Sequence, residues 1–144
     1  MTISKSLKTI FIALGLLLII SSAAFAMKEA YNYMSAEALN TAVQDGADVA
    51  IVDIQVPADY KAHHIKGAIE TGAYPVKTAD DKAKFTATLA KVKDSKENIV
   101  IICPRGKGGA ERAVDYFKEQ GVAPYRLFIL TEGQGGWNYG VETN

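Results

Sequence analysis

The single cysteine of this chain, Cys103, stands where an apolar run (Ile99-Val100-Ile101-Ile102) gives way to Pro104-Arg105-Gly106-Lys107-Gly108-Gly109. A short continuous apolar run is the pattern of a strand buried on both faces. The apolar spacing after the glycines predicts a helix over about 110–119, stopped by Gly121. Such a helix turns its N-terminus, with unpaired N–H groups and positive dipole end, toward the thiol. That setting favours the thiolate, the nucleophilic form of cysteine. Gly106, Gly108 and Gly109 let the turn curl and aim N–H groups inward as an anion nest. Arg105 and Lys107 add positive charge. The expected chemistry is a reachable, ionised sulfur nucleophile in an anion cradle. The bland alternative is a structural thiol, since free cysteine is among the most buried residue types.

Other residues could support such a site. Asp53 follows the apolar run Val49-Ala50-Ile51-Val52. It could order the cysteine loop through hydrogen bonds, or serve as a turn residue. His64 reads as a base or, more simply, as a core histidine or one supporting the site from behind. The pair His63-His64 lacks a third ligand, so no metal site is expected. Arg112, one turn into the helix, is placed to approach a substrate anion or to form a surface ion pair. Neither G-x-x-x-x-G-K-[ST] nor G-x-G-x-x-G occurs, which argues against a nucleotide loop. A Cys-x5-Arg oxyanion clamp is missing as well, because position 109 is Gly.

The elements around these residues alternate in type. Ser35 is a candidate N-cap for a helix with Leu39 and Val43 inward, ending near Gly46. Strands are expected at 49–52, 99–102 and 126–130. Pro57 opens a short helix through His63. A further helix starts at Asp80 or Asp81 and turns Phe85, Leu89 and Val92 inward. Residues 133–137 read as a turn or short helix, with Trp137 as packing. Strands alternating with helices predict an α/β domain in three layers, with a mainly parallel central sheet flanked by helices. In such sheets the chemistry sits beyond the carboxyl ends of the strands, where Asp53 and Cys103 fall.

Composition sets the frame. The chain has 144 residues, 16 Lys+Arg against 16 Asp+Glu, with 49% hydrophobic and 22% charged residues. That balance predicts one globular domain and gives no support to nucleic-acid binding. One cysteine excludes an internal disulfide framework and any CxxC motif. Lys5 and Lys8 precede the uncharged apolar run at 10–20, and Ala24-Phe25-Ala26 matches the small-x-small signature of signal-peptide cleavage. Residues 1–26 are therefore expected to be a signal peptide, engaging the membrane only transiently, and 27–144 the mature domain. An uncleaved anchor is the alternative. Cleavage removes two lysines and no acid, so the mature chain carries two more acidic than basic residues. The expected location is periplasmic or secreted, where a lone thiol either pairs between chains or stays free and reactive.

Five segments, in order, resemble the rhodanese family across most of the mature domain. Val49-Ala50-Ile51-Val52-Asp53-Ile54-Gln55 is similar to the family's strand followed by Asp-Val-Arg. Pro57-Ala58-Asp59-Tyr60 is similar to Pro-x-Glu-Tyr/Phe, and His64-Ile65-Lys66-Gly67-Ala68-Ile69 to Gly-His-Ile-x-Gly-Ala. The segment from Ile99 through Gly106, with Ala110, Arg112 and Ala113, looks like the active-site loop and its helix. Leu130 through Trp137 resembles the closing Leu-x-Gly-Gly-x-x-x-Trp. The resemblance implies a sulfurtransferase cycle with no metal or organic cofactor. Cys103 would take sulfur from a sulfane donor of the thiosulfate or polysulfide class, hold it as a persulfide, and pass it to cyanide or a thiol. Arg105, Gly106, Lys107, Gly108 and Gly109 would bind substrate, with Asp53, His64 and Arg112 in support. The chain departs from the family at Pro104 and Gly108, where arginines are common, at Gly109 for a hydroxyl residue, and at Gln55, His63 and Glu132. Those departures extend the expected donors to polysulfide or a protein persulfide. They also keep open a non-catalytic sulfur-carrying module serving a periplasmic or membrane partner; a redox sensor that dimerises through Cys103 is a separate alternative.

Overall fold

The computed structural model describes residues 30–144; the expected signal peptide at 1–26 lies outside them. The order of elements is β1 (Tyr33–Met34), α1 (Ala36–Gln44), β2 (Val49–Asp53), α2 (Pro57–Ala62), β3 (His64–Ile65) and β4 (Ile69–Glu70). Then follow α3 (Ala79–Ala83), α4 (Thr86–Val92), β5 (Asn98–Ile102), α5 (Gly108–Glu119), β6 (Leu127–Leu130) and β7 (Val141–Glu142). Two 3-10 turns, Pro124–Arg126 and Gly133–Gly136, bracket β6.

Five strands form one sheet in the order β1-β6-β5-β2-β4, every pairing parallel. β3 and β7 make a separate antiparallel ribbon that holds the C-terminal segment. Side chains alternate across a strand, and β5 shows the result. Ile99, Ile101 and Cys103 face the core packed under α4 and α5. Val100 and Ile102 face the opposite core, with Leu39 of α1 and Tyr60 of α2. The expected three-layer α/β domain with a mainly parallel sheet is what forms. Alternation thereby sends the cysteine side chain to the α5 side.

Several local expectations hold. The Ser35 hydroxyl accepts from the Ala38 N–H at 3.1 Å, capping α1, and Pro57 occupies the first turn of α2. The single helix expected after Asp80 is two. A capping box between Thr78 and Asp81 starts α3. The chain then bends so that Phe85, fully buried, meets Phe117 edge-on at 5.1 Å. Arg126 ends a 3-10 turn and lies outside β6. α5 begins at Gly108, two residues earlier than its apolar pattern predicts.

Candidate active site

Cys103 leaves the carboxyl end of β5 and its Sγ accepts a hydrogen bond from the Gly106 N–H at 3.1 Å. The turn closes through Gly106 at φ 63°, a left-handed conformation that favours glycine. Space demands glycine there too, because a Cβ would stand 2.5 Å from the Leu130 carbonyl and 2.8 Å from the Glu132 N. The loop is clamped from outside by the turn after β6. The Gln134 N–H donates to the Cys103 carbonyl at 2.8 Å, and the Gly135 N–H to the Pro104 carbonyl at 3.0 Å.

The thiol is not open to solvent. Cys103 is 2% exposed and sits in the core cluster with Ile54, Ala73, Val76 and Ala110. The expectation of a freely reachable sulfur is corrected here. Interlocking of two turns, 103–106 and 132–136, folds the loop down over Sγ instead of leaving it as a rim.

The expected substrate-binding residues divide into two groups. Gly106 supplies the N–H at the sulfur. Gly108 and Gly109 belong to the first turn of α5 and are not part of the open loop. Gly109 is required for packing, since a Cβ would come within 2.9 Å of the Tyr74 ring. Arg105 and Lys107 are both exposed on the outer face of the loop. They line an open cavity of about 380 Å³ with Glu132, Gly135 and Gly136.

The supporting residues are drawn elsewhere. The Arg112 Nε donates to the Pro75 carbonyl at 2.9 Å, so its guanidinium ties α5 to the turn at 74–76. That turn is bent at Val76, a branched residue at φ 61°. The Arg112 Nη1 also fills the space beside Gly108, 3.0 Å from where a Cβ would project. His64 is buried, stacks on Tyr60 at 3.9 Å, and its Nδ1 lies 2.8 Å from the Tyr60 carbonyl. Its Nε2 faces Glu142 of β7 at 3.7 Å. The geometry makes His64 a tie between α2 and the C-terminal ribbon.

Asp53 is fully buried at the end of β2 and turns back on its own strand end. Its Oδ1 accepts from the Gln55 N–H at 2.8 Å and its Oδ2 from the Gln55 Nε2 at 3.0 Å. Burial pushes the carboxyl above its usual range, and the two Gln55 bonds oppose that only in part. An acid raised in this way costs stability when ionised, and the cost is relieved as pH falls through its folded pKa. Asp53→Asn removes the charge while keeping the turn. The denaturation midpoint of the wild type should therefore rise relative to D53N between neutral and mildly acidic pH. A constant difference between the two would refute the assignment.

Two residues at the site escaped the reading of the sequence. Gly133, at φ 59°, lies directly beneath the loop, and a Cβ there would collide with the Cys103 carbonyl. The positive φ of Gly133 is not encoded in any local pattern; the paired glycines of the family's closing motif were the one available signal. Gln134 is 4% exposed, and neither its Nε2 nor its Oε1 has a hydrogen-bond partner among the described residues. Trp137 packs partly buried against the second core and donates Nε1–H to the Gly140 carbonyl at 3.1 Å.

Comparison with known proteins agrees with this architecture. The sequence model of the rhodanese-like domain matches residues 35–139. No curated protein matches the sequence. Among solved structures, the rhodanese-like domain of an Anabaena protein superposes with a TM-score of 0.61 at 16% identity, over 80% of this chain and 81% of that one. A thiosulfate sulfurtransferase from Pseudomonas aeruginosa gives 0.59 at 18% identity, over 78% of this chain but 20% of its own. A Rhodopseudomonas palustris protein of unknown function, described as a possible tyrosine phosphatase, gives 0.55 at 18%, over 74% and 79%. Identities this low speak for the fold alone. With a family match over most of its described length, a parallel five-stranded sheet and the cysteine loop at its carboxyl edge, the chain belongs to the rhodanese-like domain family.

Proposed function

We propose that this protein is an exported sulfurtransferase that carries sulfane sulfur on Cys103. The family is sulfurtransferase-related and includes non-catalytic members, so the reading rests on the site of this chain. The observation that carries it is the Gly106 N–H held 3.1 Å from Sγ at the end of a buried strand. A backbone donor held at a sulfur stabilises negative charge there. The Cys103 thiolate attacks the outer sulfur of thiosulfate, forming the enzyme S–S bond and releasing sulfite with the electron pair. With polysulfide, the leaving group is a polysulfide one sulfur shorter. A thiol or cyanide then takes the outer sulfur and regenerates the thiolate. No metal or organic cofactor enters the cycle.

Because Cys103 is 2% exposed, the loop at 103–107 must lift for a donor to enter. A location in the periplasm or outside the cell, and service to a protein partner there, belong to the same proposal and follow from the reading of residues 1–26.

Intact mass measurement after exposure to polysulfide or thiosulfate should show one added sulfur on the wild type. Cys103→Ser should show none and lose transfer to cyanide altogether. A folded wild-type protein that gains no sulfur would refute the proposal. A second reading, a sulfur carrier without turnover, is favoured by the burial of Sγ together with Pro104 and Gly108 at the loop's usual arginine positions. Multiple turnover to cyanide would eliminate it. Hydrolysis of an aryl phosphate is not expected, since Gly109 cannot clamp an oxyanion.

A further inference from the structure

The turn beneath the cysteine loop carries a buried amide with nothing to bond. Gln134 is 4% exposed, and among the described residues its Nε2 and Oε1 are the only buried side-chain nitrogen and oxygen without a partner. Other buried polar side chains are satisfied. The Gln55 amide donates to the Asp53 carboxylate at 3.0 Å, and the Arg126 guanidinium reaches three carbonyls and a hydroxyl. A glutamine amide offers two donors and an acceptor, and leaving such groups dry and unpaired opposes their burial. The Gln134 side chain therefore works against the arrangement that buries it.

That arrangement is the closed site. The N–H of Gln134 itself donates to the Cys103 carbonyl at 2.8 Å, and the Gly135 N–H donates to the Pro104 carbonyl at 3.0 Å. Glu132 and Gly133 press against Gly106, where a Cβ would stand 2.8 Å and 2.9 Å from their nitrogens. These fastenings all lie within two residues of the unpaired amide. The same turn holds a second cost. Glu132 stands at φ 61°, a left-handed conformation that disfavours a residue with a Cβ, and such strain persists only where the surrounding structure enforces it.

We infer that Gln134 is the positioning residue that sets how often the site opens: its amide, dry while the loop at 103–107 is down, gains water when that loop parts from the turn at 132–136. Hydration of the amide offsets the two backbone bonds that parting breaks, and relaxation of Glu132 acts in the same direction. An apolar side chain at 134 would leave the loop locked over Sγ. The inference rests on the sulfurtransferase reading for its purpose, the admission of a donor to a thiol that is 2% exposed. The opening itself is measured without sulfur chemistry.

Gln134→Leu and Gln134→Met come close to the bulk of glutamine and remove both unpaired groups. Iodoacetamide applied to the native protein reads the opening at Cys103, the single cysteine of the chain. Both variants should raise the denaturation midpoint and slow labelling by about ten-fold, the scale of a buried polar group relieved. Hydrogen exchange at the backbone N–H of position 134 and of Gly135 should slow by the same factor, and loading from polysulfide should slow in step. Gly46→Ala separates opening from global unfolding. It lowers stability at a turn where the new methyl meets nothing within 4 Å, and it should leave labelling unchanged. Wild-type labelling rates in both Gln134 variants, or labelling that accelerates in G46A in proportion to its lost stability, would overturn the inference and leave the sulfurtransferase reading intact. A wild type that alkylates through the local opening but never takes up sulfur would overturn that reading instead, with the opening still established by the labelling.

Discussion

Gly133→Ala should dismantle the cysteine loop. The substitution is small, but the position tolerates no Cβ on two separate grounds. Backbone conformation is the first: φ is 59°, which costs alanine about 1 kcal/mol over glycine. Space is the second and larger. The new methyl would collide with the Cys103 carbonyl and stand 2.5 Å from the Gly106 N and 2.7 Å from the Arg105 N. These are backbone atoms, and no rotamer change relieves them. Relief requires the loop to move off the 133–136 turn, which breaks the bonds from Gln134 N–H to the Cys103 carbonyl and from Gly135 N–H to the Pro104 carbonyl. Gly106 then no longer presents its N–H to Sγ. The expected outcome is a loss of roughly 3 kcal/mol or more in stability and at least a ten-fold slower loading of Cys103 with sulfur. Gly46→Ala is the matched control, because Gly46 also has a positive φ of 68° but nothing within 4 Å of its would-be Cβ. It should carry the conformational cost alone. If the two variants lose the same stability and G133A loads sulfur normally, the interlock of the two turns is not what forms the site.

The same interlock explains what could be read from the chain alone. β5 was legible because four successive apolar residues buried on both faces admit few other readings. The cysteine at its end was legible as the place where chemistry would sit. Its burial was not, because the covering loop is shaped by Gly133 and Gln134, some thirty residues later. Arg112 shows the same limit. Its spacing puts a cation one turn into α5, but the Pro75 carbonyl, 37 residues earlier, decides where that cation points. β1, β3, β4 and β7 are two residues each, too short to show a period. They exist through their partners, as when Tyr33 and Met34 pair with Ile129 and Leu130. Asp53 and His64 were open between catalytic and structural roles. In the fold the Asp53 carboxylate accepts from the Gln55 N–H and Nε2, and the His64 Nδ1 lies against the Tyr60 carbonyl, partners that no local pattern announces.

Arg126→Ala should produce the opposite dissociation, a heavy loss of stability with the sulfur chemistry of the folded molecules preserved. Arg126 is 5% exposed, and its guanidinium is spent on the chain between α4 and β5. Nε donates to the Glu97 carbonyl at 2.8 Å and Nη1 to the Lys93 carbonyl at 2.9 Å. Nη2 donates to the Val92 carbonyl at 2.8 Å and to the Ser95 Oγ at 2.9 Å. Val92 and Lys93 close α4, so their carbonyls form the negative end of that helix, where a cation is favoured. Truncation takes their side-chain donors from the Glu97 and Lys93 carbonyls, while the Val92 carbonyl keeps the Ser95 N–H and hydroxyl. Stranding buried polar groups costs about 1–3 kcal/mol each, and partial rehydration of the cavity limits the sum to roughly 3–5 kcal/mol. For a domain of this size that lowers the thermal midpoint by about 10 °C or more. Arg126→Lys should recover only a fraction, since one ammonium cannot span three carbonyls and a hydroxyl. The site itself should be spared. Arg126 grips the entry to β5, and Cys103 leaves its far end, about 16 Å away along the strand. Sulfur loading per folded molecule should therefore match the wild type at low temperature, and a defect in loading beyond the loss of folded protein would show that the two ends of β5 are coupled.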